Sequence, residues 1–279
     1  MSIRQALSRA RGMLSENRIE DPDLESVLLL THTLKTDLVQ MYLDFDNALS
    51  PEQSEQFSNL IERRLKGEPA AYILGRREFY GLDFYVDTNV LIPRPETELL
   101  VEKALEIAMS GAVSSIADIG TGSGAIAISL ALKLPEAKFY ATDISDAALK
   151  VAAANCRKHR VADKICLLEG DLLEPLPEPV DLIIANLPYV TEADLAKVNT
   201  LGFEPAMALD GGKDGLDKIL RLCTQVPEKL LPGGSLLLEI GQGQRQAVTA
   251  FLRELFPQAR IEAFTDLAGV GRVVGMKMC

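Results

Sequence analysis

A chain of 279 residues is long enough for one large domain, or for two smaller ones, with a substantial hydrophobic core. Hydrophobic residues make up 47% of it and charged residues 25%, which is ordinary for a soluble globular protein. The formal net charge of −11 opposes binding to a polyanion, and the basic cluster at residues 157–160 is interpreted as the charged end of a helix. Because no apolar run could span a bilayer and no signal-peptide core is present, we expect a cytoplasmic protein with no membrane contact and no stable nucleic-acid binding.

The cysteine and histidine content excludes several kinds of active site. The four cysteines, at positions 156, 166, 223 and 279, lack the spacing of metal ligands and are interpreted as thiols in a reducing compartment. The chain has only two histidines, His32 and His159. We therefore expect no metal site and no Ser/His/Asp triad.

Residues 1 to about 66 are predicted to be helical, because apolar residues recur there with helical spacing. The clearest start signal is Ser50, after which Pro51 takes the first helical position and Gln53 completes a capping box. The pattern indicates a small helical bundle over residues 1–70. A bundle of this kind is compatible both with a packing role and with a docking surface for a macromolecule.

The stretch that follows the bundle differs from it in amino-acid composition. Glycines and prolines punctuate short aromatic or branched segments at residues 77–80 and 82–86, which favours a β-hairpin. We therefore assign residues 71–95 to a hairpin linker.

The rest of the chain, residues 96–279, alternates between helix and strand patterns, which predicts an α/β domain with a parallel sheet. Predicted strands occupy residues 115–119, 138–142, 165–168, 180–185 and 235–240, and predicted helices occupy residues 100–108, 125–132, 145–158, 214–225 and 243–256. The last two segments, 260–264 and 272–278, are joined by a glycine-containing turn and predict a closing hairpin.

A glycine loop follows the first of these strands and leads straight into a helix. It consists of Gly120, Thr121, Gly122, Ser123 and Gly124. Glycines let the backbone approach a ligand closely, and a helix start presents free N–H groups. Asp143 ends the next strand, where a carboxylate can accept hydrogen bonds from both ribose hydroxyls. These features predict an adenosine-containing cofactor, although the loop alone does not separate NAD from S-adenosylmethionine.

Polar groups also end the third and fourth strands of the predicted sheet. Asp171 follows the third strand, where its carboxylate can accept a hydrogen bond from an adenine amino group. The apolar run at residues 182–185 ends in a loop that consists of Asn186, Leu187, Pro188 and Tyr189. An amide, a carbonyl and a flat ring at the carboxyl end of a strand can together hold a planar group that carries an NH2.

These motifs resemble those of S-adenosylmethionine-dependent methyltransferases that modify an amino nitrogen. More narrowly, the chain resembles the protein-(glutamine-N5) methyltransferases that act on peptide chain release factors. Further motifs carry the resemblance over nearly the whole length: EPAAYILG at 68–75, IPRPETE at 92–98, FEP at 203–205, AL at 208–209, GGKDGL at 211–216, LEIG at 238–241 and RVV at 272–274. The resemblance implies a Rossmann-like seven-stranded sheet, S-adenosylmethionine as cofactor, and as substrate the glutamine in the GGQ loop of a release factor, which the helical bundle would bind.

One residue departs from that family's pattern. Leu187 stands where the family usually carries a proline, and Asn-Leu-Pro-Tyr is the form associated with ribosomal RNA adenine dimethyltransferases. An adenine-N6 methyltransferase acting on RNA or DNA is therefore the alternative enzyme, and it could stack a flipped base on Tyr189. The acidic balance, the position of the helical domain before the sheet, and the motifs at 92–98 and 203–205 argue against it. A dinucleotide-binding regulator without transferase activity is a third hypothesis.

The expected catalytic groups are Asn186, Pro188 and Tyr189. The amide oxygen of Asn186 and the carbonyl of Pro188 would accept the two N–H bonds of the substrate amide, while Tyr189 packs against its plane. Cofactor contacts are expected from the glycine loop, Asp143, Asp171, Leu172 and Asn186. Substrate contacts are expected from the 186–189 loop, Arg94 and Glu204, although Arg94 and Glu204 would alternatively pair with each other.

Overall fold

Two compact units make up the fold, Met1–Gly75 and Arg76–Cys279. The structure is a computed structural model, and it describes residues 1–111, 113–198 and 202–279. No helix in these ranges is long and apolar enough to cross a membrane.

The first unit is a helical bundle, as the apolar periodicity predicted. Its helices are α1 Ile3–Glu16, α2 Pro22–Leu34, α3 Leu38–Leu43, α4 Pro51–Leu65 and α5 Ala70–Leu74. The predicted capping box at Ser50 and Gln53 is present at the start of α4. The apolar stripes of α1, α2 and α4 meet in one core, with Leu14, Leu29 and Phe57 among its buried members.

Helix α5 lies within the stretch that the sequence analysis assigned to a linker. It packs against α2 and α4, and Ile73 is buried in the core of the bundle. The helical unit therefore extends to Gly75, five residues beyond the predicted boundary at residue 70. Five helical residues between Pro69 and Gly75 are too short to produce a readable helical period.

The second unit begins with the predicted hairpin and continues as an α/β sheet. The hairpin strands are β1 Arg76–Phe79 and β2 Leu82–Tyr85, and a 3-10 helix, Pro95–Thr97, then leads into α6 Glu98–Ser110. The following elements are β3 Ser115–Ile119, α7 Ala125–Lys133, β4 Lys138–Asp143, α8 Asp146–Lys158, β5 Ile165–Glu169, β6 Val180–Ala185, α9 Glu192–Val198, a second 3-10 helix Ala206–Ala208, α10 Asp217–Lys229, β7 Leu230–Glu239, α11 Arg245–Leu255, β8 Arg260–Thr265 and β9 Gly271–Lys277.

The seven strands of the large sheet follow the order β5-β4-β3-β6-β7-β9-β8. Strands β3 to β7 are parallel to their neighbours, and β9 pairs antiparallel with both β7 and β8. The predicted Rossmann-like sheet with a closing antiparallel hairpin is thus confirmed. Among the helices, α10 begins three residues later than predicted and α9 was not predicted.

Strand β6 runs through the middle of this sheet and is buried on both faces. Leu182 and Ile184 face one hydrophobic cluster, which includes α6 and α7, while Ile183 and Ala185 face a second cluster with α10 and α11. This burial explains why residues 182–185 of β6 form a continuous apolar run and not an alternating one.

The sheet has its topological switch between β3 and β6. From β3 the chain first adds β4 and β5 on one side, and then returns to place β6 on the other. Ile119 pairs with both Thr142 of β4 and Ala185 of β6, so the carboxyl ends of these three strands lie level. A crevice at such a switch point is the usual ligand site of an open α/β sheet.

Candidate active site

A cavity of about 470 Å³ opens at the carboxyl ends of β3, β4, β5 and β6. This volume falls within the range of roughly 300 to 1,000 Å³ that is usual for small-molecule sites. Most of the predicted site residues line it: Gly120, Thr121, Gly122, Ser123, Asp143, Asp171, Leu172, Asn186, Leu187, Pro188 and Arg94. Gly124, Tyr189 and Glu204 are not among its lining residues.

The glycine loop turns sharply at the end of β3. Gly120, Gly122 and Gly124 all have positive φ, at 71°, 55° and 81°, a region that other residues enter only at a cost. A Cβ on Gly122 would meet no atom within 4 Å, so this part of the backbone faces open space. A Cβ on Gly124 would lie 3.1 Å from Ile128, because this glycine packs the start of α7 against the fold. Gly124 therefore shapes the loop from behind the cavity.

Asp118 holds the glycine loop from beneath. Its Oδ2 accepts hydrogen bonds from the hydroxyl of Thr121 at 2.7 Å and from the N–H of Ala127 at 3.2 Å. The side chain is almost completely buried, and the loss of water raises the pKa of its carboxyl from 3.8 to about 6. Asp118 therefore has a structural role in the loop.

Asp143 stands at the end of β4, beside the glycine loop. Its Oδ2 accepts from the N–H of Gly122 and its Oδ1 from the N–H of Ser145, both at 2.9 Å. Burial raises the pKa of this carboxyl, although the two backbone donors oppose the shift. Each carboxylate oxygen keeps a further lone pair, so the group can still accept hydrogen bonds from a ligand in the cavity.

Asp171 and Leu172 follow β5 at the same edge of the sheet. The carboxylate of Asp171 forms an ion pair with Arg221 of α10, in addition to lining the cavity. Leu172 is buried and adopts a positive φ of 53°, and its carbonyl accepts from the hydroxyl of Thr142 at 2.9 Å. The Asp171 carboxylate is the predicted acceptor for an adenine amino group, and it therefore also pairs with the guanidinium of Arg221.

Asn186 leaves the end of β6 with its side-chain amide held in one direction. Its Nδ2 donates to the hydroxyl oxygen of Thr97 at 3.0 Å. Within the part of the chain that the structure describes, no donor reaches its Oδ1, and none reaches the carbonyl oxygen of Pro188. Asn186 and Pro188 both line the cavity, and each offers an acceptor oxygen that has no donor among the described residues.

Tyr189 turns away from the cavity toward β7. Its hydroxyl donates to Oε1 of Glu239 at 3.4 Å, and a Cβ on Gly241 would lie 3.1 Å from its ring. Burial and the carboxylate of Glu239 raise the pKa of Tyr189 to about 12, so the hydroxyl keeps its proton. The predicted packing of this ring against a substrate stays a prediction, since the ring does not line the cavity.

A loop at residues 209–217 supports the 186–189 loop from behind. The N–H of Gly211 donates to the carbonyl of Val190 at 2.9 Å, and its carbonyl accepts from the N–H of Asp217 at 3.0 Å. Gln244 extends this support, because its Nε2 donates to the carbonyls of Tyr189 and Gly215 at 3.1 and 3.0 Å. The position of the acceptor groups is therefore set by several backbone contacts.

Arg94 and Glu204 form an ion pair at 2.6 Å, and Glu204 also accepts from the N–H of Ile92. Arg94 lines the cavity, whereas Glu204 is turned toward its partners. Pairing of these two residues was one of the two predicted arrangements. Contact of either with a substrate stays a prediction.

Sequence reasoning missed three residues that organise the site. Thr97 and Glu239 lie within quoted motifs but received no role, and both are buried. Asn155 of α8 is completely buried, and its Nδ2 donates to the carbonyls of Ser123 and Tyr85 at 2.9 Å. Asn186 was identified as a polar residue at the end of a buried strand. The same signal could also have identified Glu239.

Among residues 1–111, 113–198 and 202–279, no group of three or more His, Cys, Asp or Glu side chains is placed to hold a metal ion. All four cysteines are free thiols, two of them buried.

The fold and the site together define a methyltransferase of the Rossmann-like class, with S-adenosylmethionine as its cofactor. Two family models match the chain: the PrmC N-terminal domain over residues 5–75 and the methyltransferase small domain over residues 95–203. A methyltransferase from Pyrococcus furiosus shares the fold, with a TM-score of 0.53 at 17% identity over 79% of this chain and 98% of that one.

Curated relatives narrow this class to one family. A release factor glutamine methyltransferase from Geobacter sulfurreducens is 42% identical over 98% of this chain and 96% of its own. One from Moorella thermoacetica is also 42% identical, over 98% of this chain and 97% of its own. The chain belongs to the release factor glutamine methyltransferase family, and the adenine-N6 alternative is not favoured.

Proposed function

We propose that this protein transfers a methyl group from S-adenosylmethionine to the side-chain amide nitrogen of the glutamine in the GGQ loop of a peptide chain release factor. The observation that carries the proposal is the single cavity that joins the glycine loop and Asp143 to the free acceptors of Asn186 and Pro188. Family membership over nearly the whole chain supports the same substrate.

The residues of the cavity fit the cofactor. Gly122 faces open space, so the loop has room for a ligand against its backbone. Asp143 keeps lone pairs that can accept from two ribose hydroxyls. When bound, S-adenosylmethionine supplies a methyl group on a positively charged sulfur and leaves as a neutral thioether.

The chain's own contribution is to orient a weak nucleophile. The lone pair of an amide nitrogen is delocalised into its carbonyl, so the nitrogen reacts only when it is held in a productive direction. Oδ1 of Asn186 and the carbonyl oxygen of Pro188 would accept the two N–H bonds of the substrate amide. As the N–C bond forms and the S–C bond breaks, positive charge develops on the nitrogen, and one of its two protons is then released to water. Both acceptors stabilise this charge, and their positions are fixed before the substrate arrives.

We infer that the helical unit binds the release factor through α3. Apolar side chains dominate the exposed surface of this short helix, with exposed fractions of 48% for Leu38, 69% for Val39, 46% for Tyr42 and 75% for Leu43. Asp37, Asp44 and Asp46 lie beside this patch. An apolar patch with acidic neighbours suits a partner segment that is apolar and basic.

Mass spectrometry of a release factor tests the proposed reaction. After incubation with the protein and S-adenosylmethionine, the peptide that contains the GGQ sequence should be heavier by one methyl group, and fragmentation should locate it on the glutamine side chain. A release factor with that glutamine replaced by alanine is the control and should stay unmodified. Methylation elsewhere, or none, would contradict the proposal.

The variant Asn186→Ala tests the assigned acceptor. It should lower kcat by about a hundredfold or more, on the scale of losing one preorganised hydrogen-bond partner of a transition state. Binding of S-adenosylmethionine, measured by calorimetry, separates loss of the acceptor from loss of the fold. Near-normal turnover would rule this role out.

A further inference from the structure

Glu239 is a buried carboxyl group that the proposed mechanism does not use. It is the last residue of β7 and only 2% exposed. Ala185 pairs with Leu238 across the parallel strands, so Glu239 lies level with Asn186, one strand away. Its Oε1 accepts from the hydroxyl of Tyr189, and the hydroxyl of Thr97 is close enough to lower the pKa of the same carboxyl group.

Thr97 connects this carboxylate to the acceptor amide. The hydroxyl oxygen of Thr97 accepts from Nδ2 of Asn186 at 3.0 Å. Thr97 lines the cavity, but only 4% of its surface is exposed, so its hydroxyl proton has little access to water and favours a partner within the protein. Oε2 of Glu239 is buried and has no hydrogen-bond partner among the described residues, so it is the acceptor available for that proton.

We propose that Glu239 and Thr97 are positioning residues, which fix the side-chain amide of Asn186 with its oxygen toward the substrate. The kinetic part of this inference rests on the proposed function, because it concerns the same methyl transfer. The hydrogen-bond assignment itself does not.

The orientation matters because one end of a side-chain amide is an acceptor oxygen and the other is a donor NH2. Rotation of the Asn186 amide by half a turn would exchange its oxygen for its NH2 with little change of shape. The oxygen accepts an N–H from the substrate, whereas an NH2 in its place would oppose the substrate's own NH2. When Thr97 gives its proton to Glu239, its oxygen can only accept from Asn186, and the productive orientation is the one that remains.

The charge state of Glu239 therefore matters. Burial raises the pKa of its carboxyl to about 7, while the hydroxyls of Thr97 and Tyr189 oppose this shift. Glu96 raises the pKa further and Arg272 lowers it, but Arg272 also pairs with Asp266 at 2.9 Å. A protonated Glu239 can itself donate to the hydroxyl oxygen of Thr97 and no longer needs the Thr97 proton. The constraint on the orientation of the Asn186 amide is then lost. Methyl transfer should thus weaken as the pH falls through about 7.

The variants Thr97→Val, Thr97→Ser and Glu239→Gln test this inference in the full-length protein. With a release factor and S-adenosylmethionine both saturating, Thr97→Val should lower kcat by about ten- to a hundredfold, because it keeps the shape but removes the hydroxyl. Thr97→Ser should restore kcat to within about threefold, because it retains the hydroxyl. The control Thr249→Val removes a buried hydroxyl that has no partner in the described ranges, and kcat should then be unchanged.

The pH profile gives the second readout. The wild-type kcat should rise with pH through about 7, and Glu239→Gln should lose this acidic limb because glutamine does not titrate. A purely structural effect of either substitution would lower kcat equally at every pH. An acidic limb retained by Glu239→Gln, or a Thr97→Val variant as active as Thr249→Val, would overturn the inference.

Nuclear magnetic resonance decides the hydrogen-bond assignment without any turnover. The side-chain NH2 signals of Asn186 should move, and exchange faster with solvent, when Thr97 is changed to valine. Unchanged signals would overturn the positioning role even in an active enzyme. Shifted signals in a protein that fails to methylate release factor would instead refute the proposed function and leave the hydrogen-bond network standing.

Discussion

Replacing Gly211 by alanine should slow methyl transfer without touching the cavity. A Cβ at this position would lie 2.8 Å from the carbonyl oxygen of Pro188, from the Cα of Tyr189 and from the Cα of Gly215. All three are backbone atoms, and ordinary van der Waals contact begins at 3.4 Å. The N–H and carbonyl of Gly211 are both hydrogen-bonded, so the loop at residues 186–189 is the part that has to move.

The expected magnitude follows from this geometry. Relief of the contact requires a shift of about 0.6 Å in the carbonyl of Pro188, and a misplacement of about 1 Å can cost roughly a hundredfold in rate. We therefore expect kcat to fall by about ten- to twentyfold. Overpacking should also cost about 1 to 3 kcal/mol of stability, which a domain stabilised by about 5 to 15 kcal/mol tolerates.

The assay is the transfer of labelled methyl groups to a release factor at saturating concentrations, with the dissociation constant for S-adenosylmethionine measured alongside. The matched control is Gly271→Ala, since a Cβ there would meet only the side chain of Arg245, at 3.7 Å. Gly211→Ala should lower kcat and leave cofactor affinity within about twofold. A kcat equal to that of Gly271→Ala would refute the idea that the position of the Pro188 carbonyl limits the rate.

Three further variants test other parts of the site. Asp143→Asn should weaken the binding of S-adenosylmethionine at least about tenfold in calorimetry, because charge-assisted hydrogen bonds contribute about 1.5 to 3 kcal/mol each; an unchanged affinity would contradict the ribose assignment. The double variant Val39→Asp, Leu43→Asp should raise KM for intact release factor but not for a short peptide with the GGQ sequence, whereas the exposed control Leu267→Asp should change neither. The raised pKa of Asp118 means that its proton is held more tightly in the folded state, so folding becomes less favourable as pH rises from about 4 to about 6. Relative to Asp118→Asn, the wild-type free energy of unfolding in urea should fall by up to about 3 kcal/mol over that window and then level off; parallel curves would refute the shift.

Much of the fold was readable because local patterns decide it. Strand β6 is buried on both faces, and its apolar run at residues 182–185 indicates this without reference to any other part of the chain. The glycine loop is equally local, since positive φ at Gly120 and Gly122 requires glycine there. Alternation of such patterns was sufficient to predict the parallel sheet and its closing hairpin.

The hydrogen-bond network was not readable, because its partners are far apart in sequence. Thr97 and Asn186 are separated by 89 residues, Tyr189 and Glu239 by 50, and no periodicity links them. The direction of the Tyr189 ring also depends on β7, which contributes nothing to the local pattern of the loop. Short elements such as α5 were missed for the opposite reason, because five residues between a proline and a glycine carry too little signal.

The contact made by Leu187 affects how loops can be exchanged between methyltransferases. The Cδ2 of Leu187 would lie 3.0 Å from a Cβ on Gly120, so the glycine loop and the 186–189 loop, which we propose to face the methyl donor and the methyl acceptor, lie side by side. A chimera that imports only one of them, for instance with proline at position 187, would lose the complementary surface on the other. The two loops therefore form one transplantable unit, and grafts between methyltransferases should carry them together.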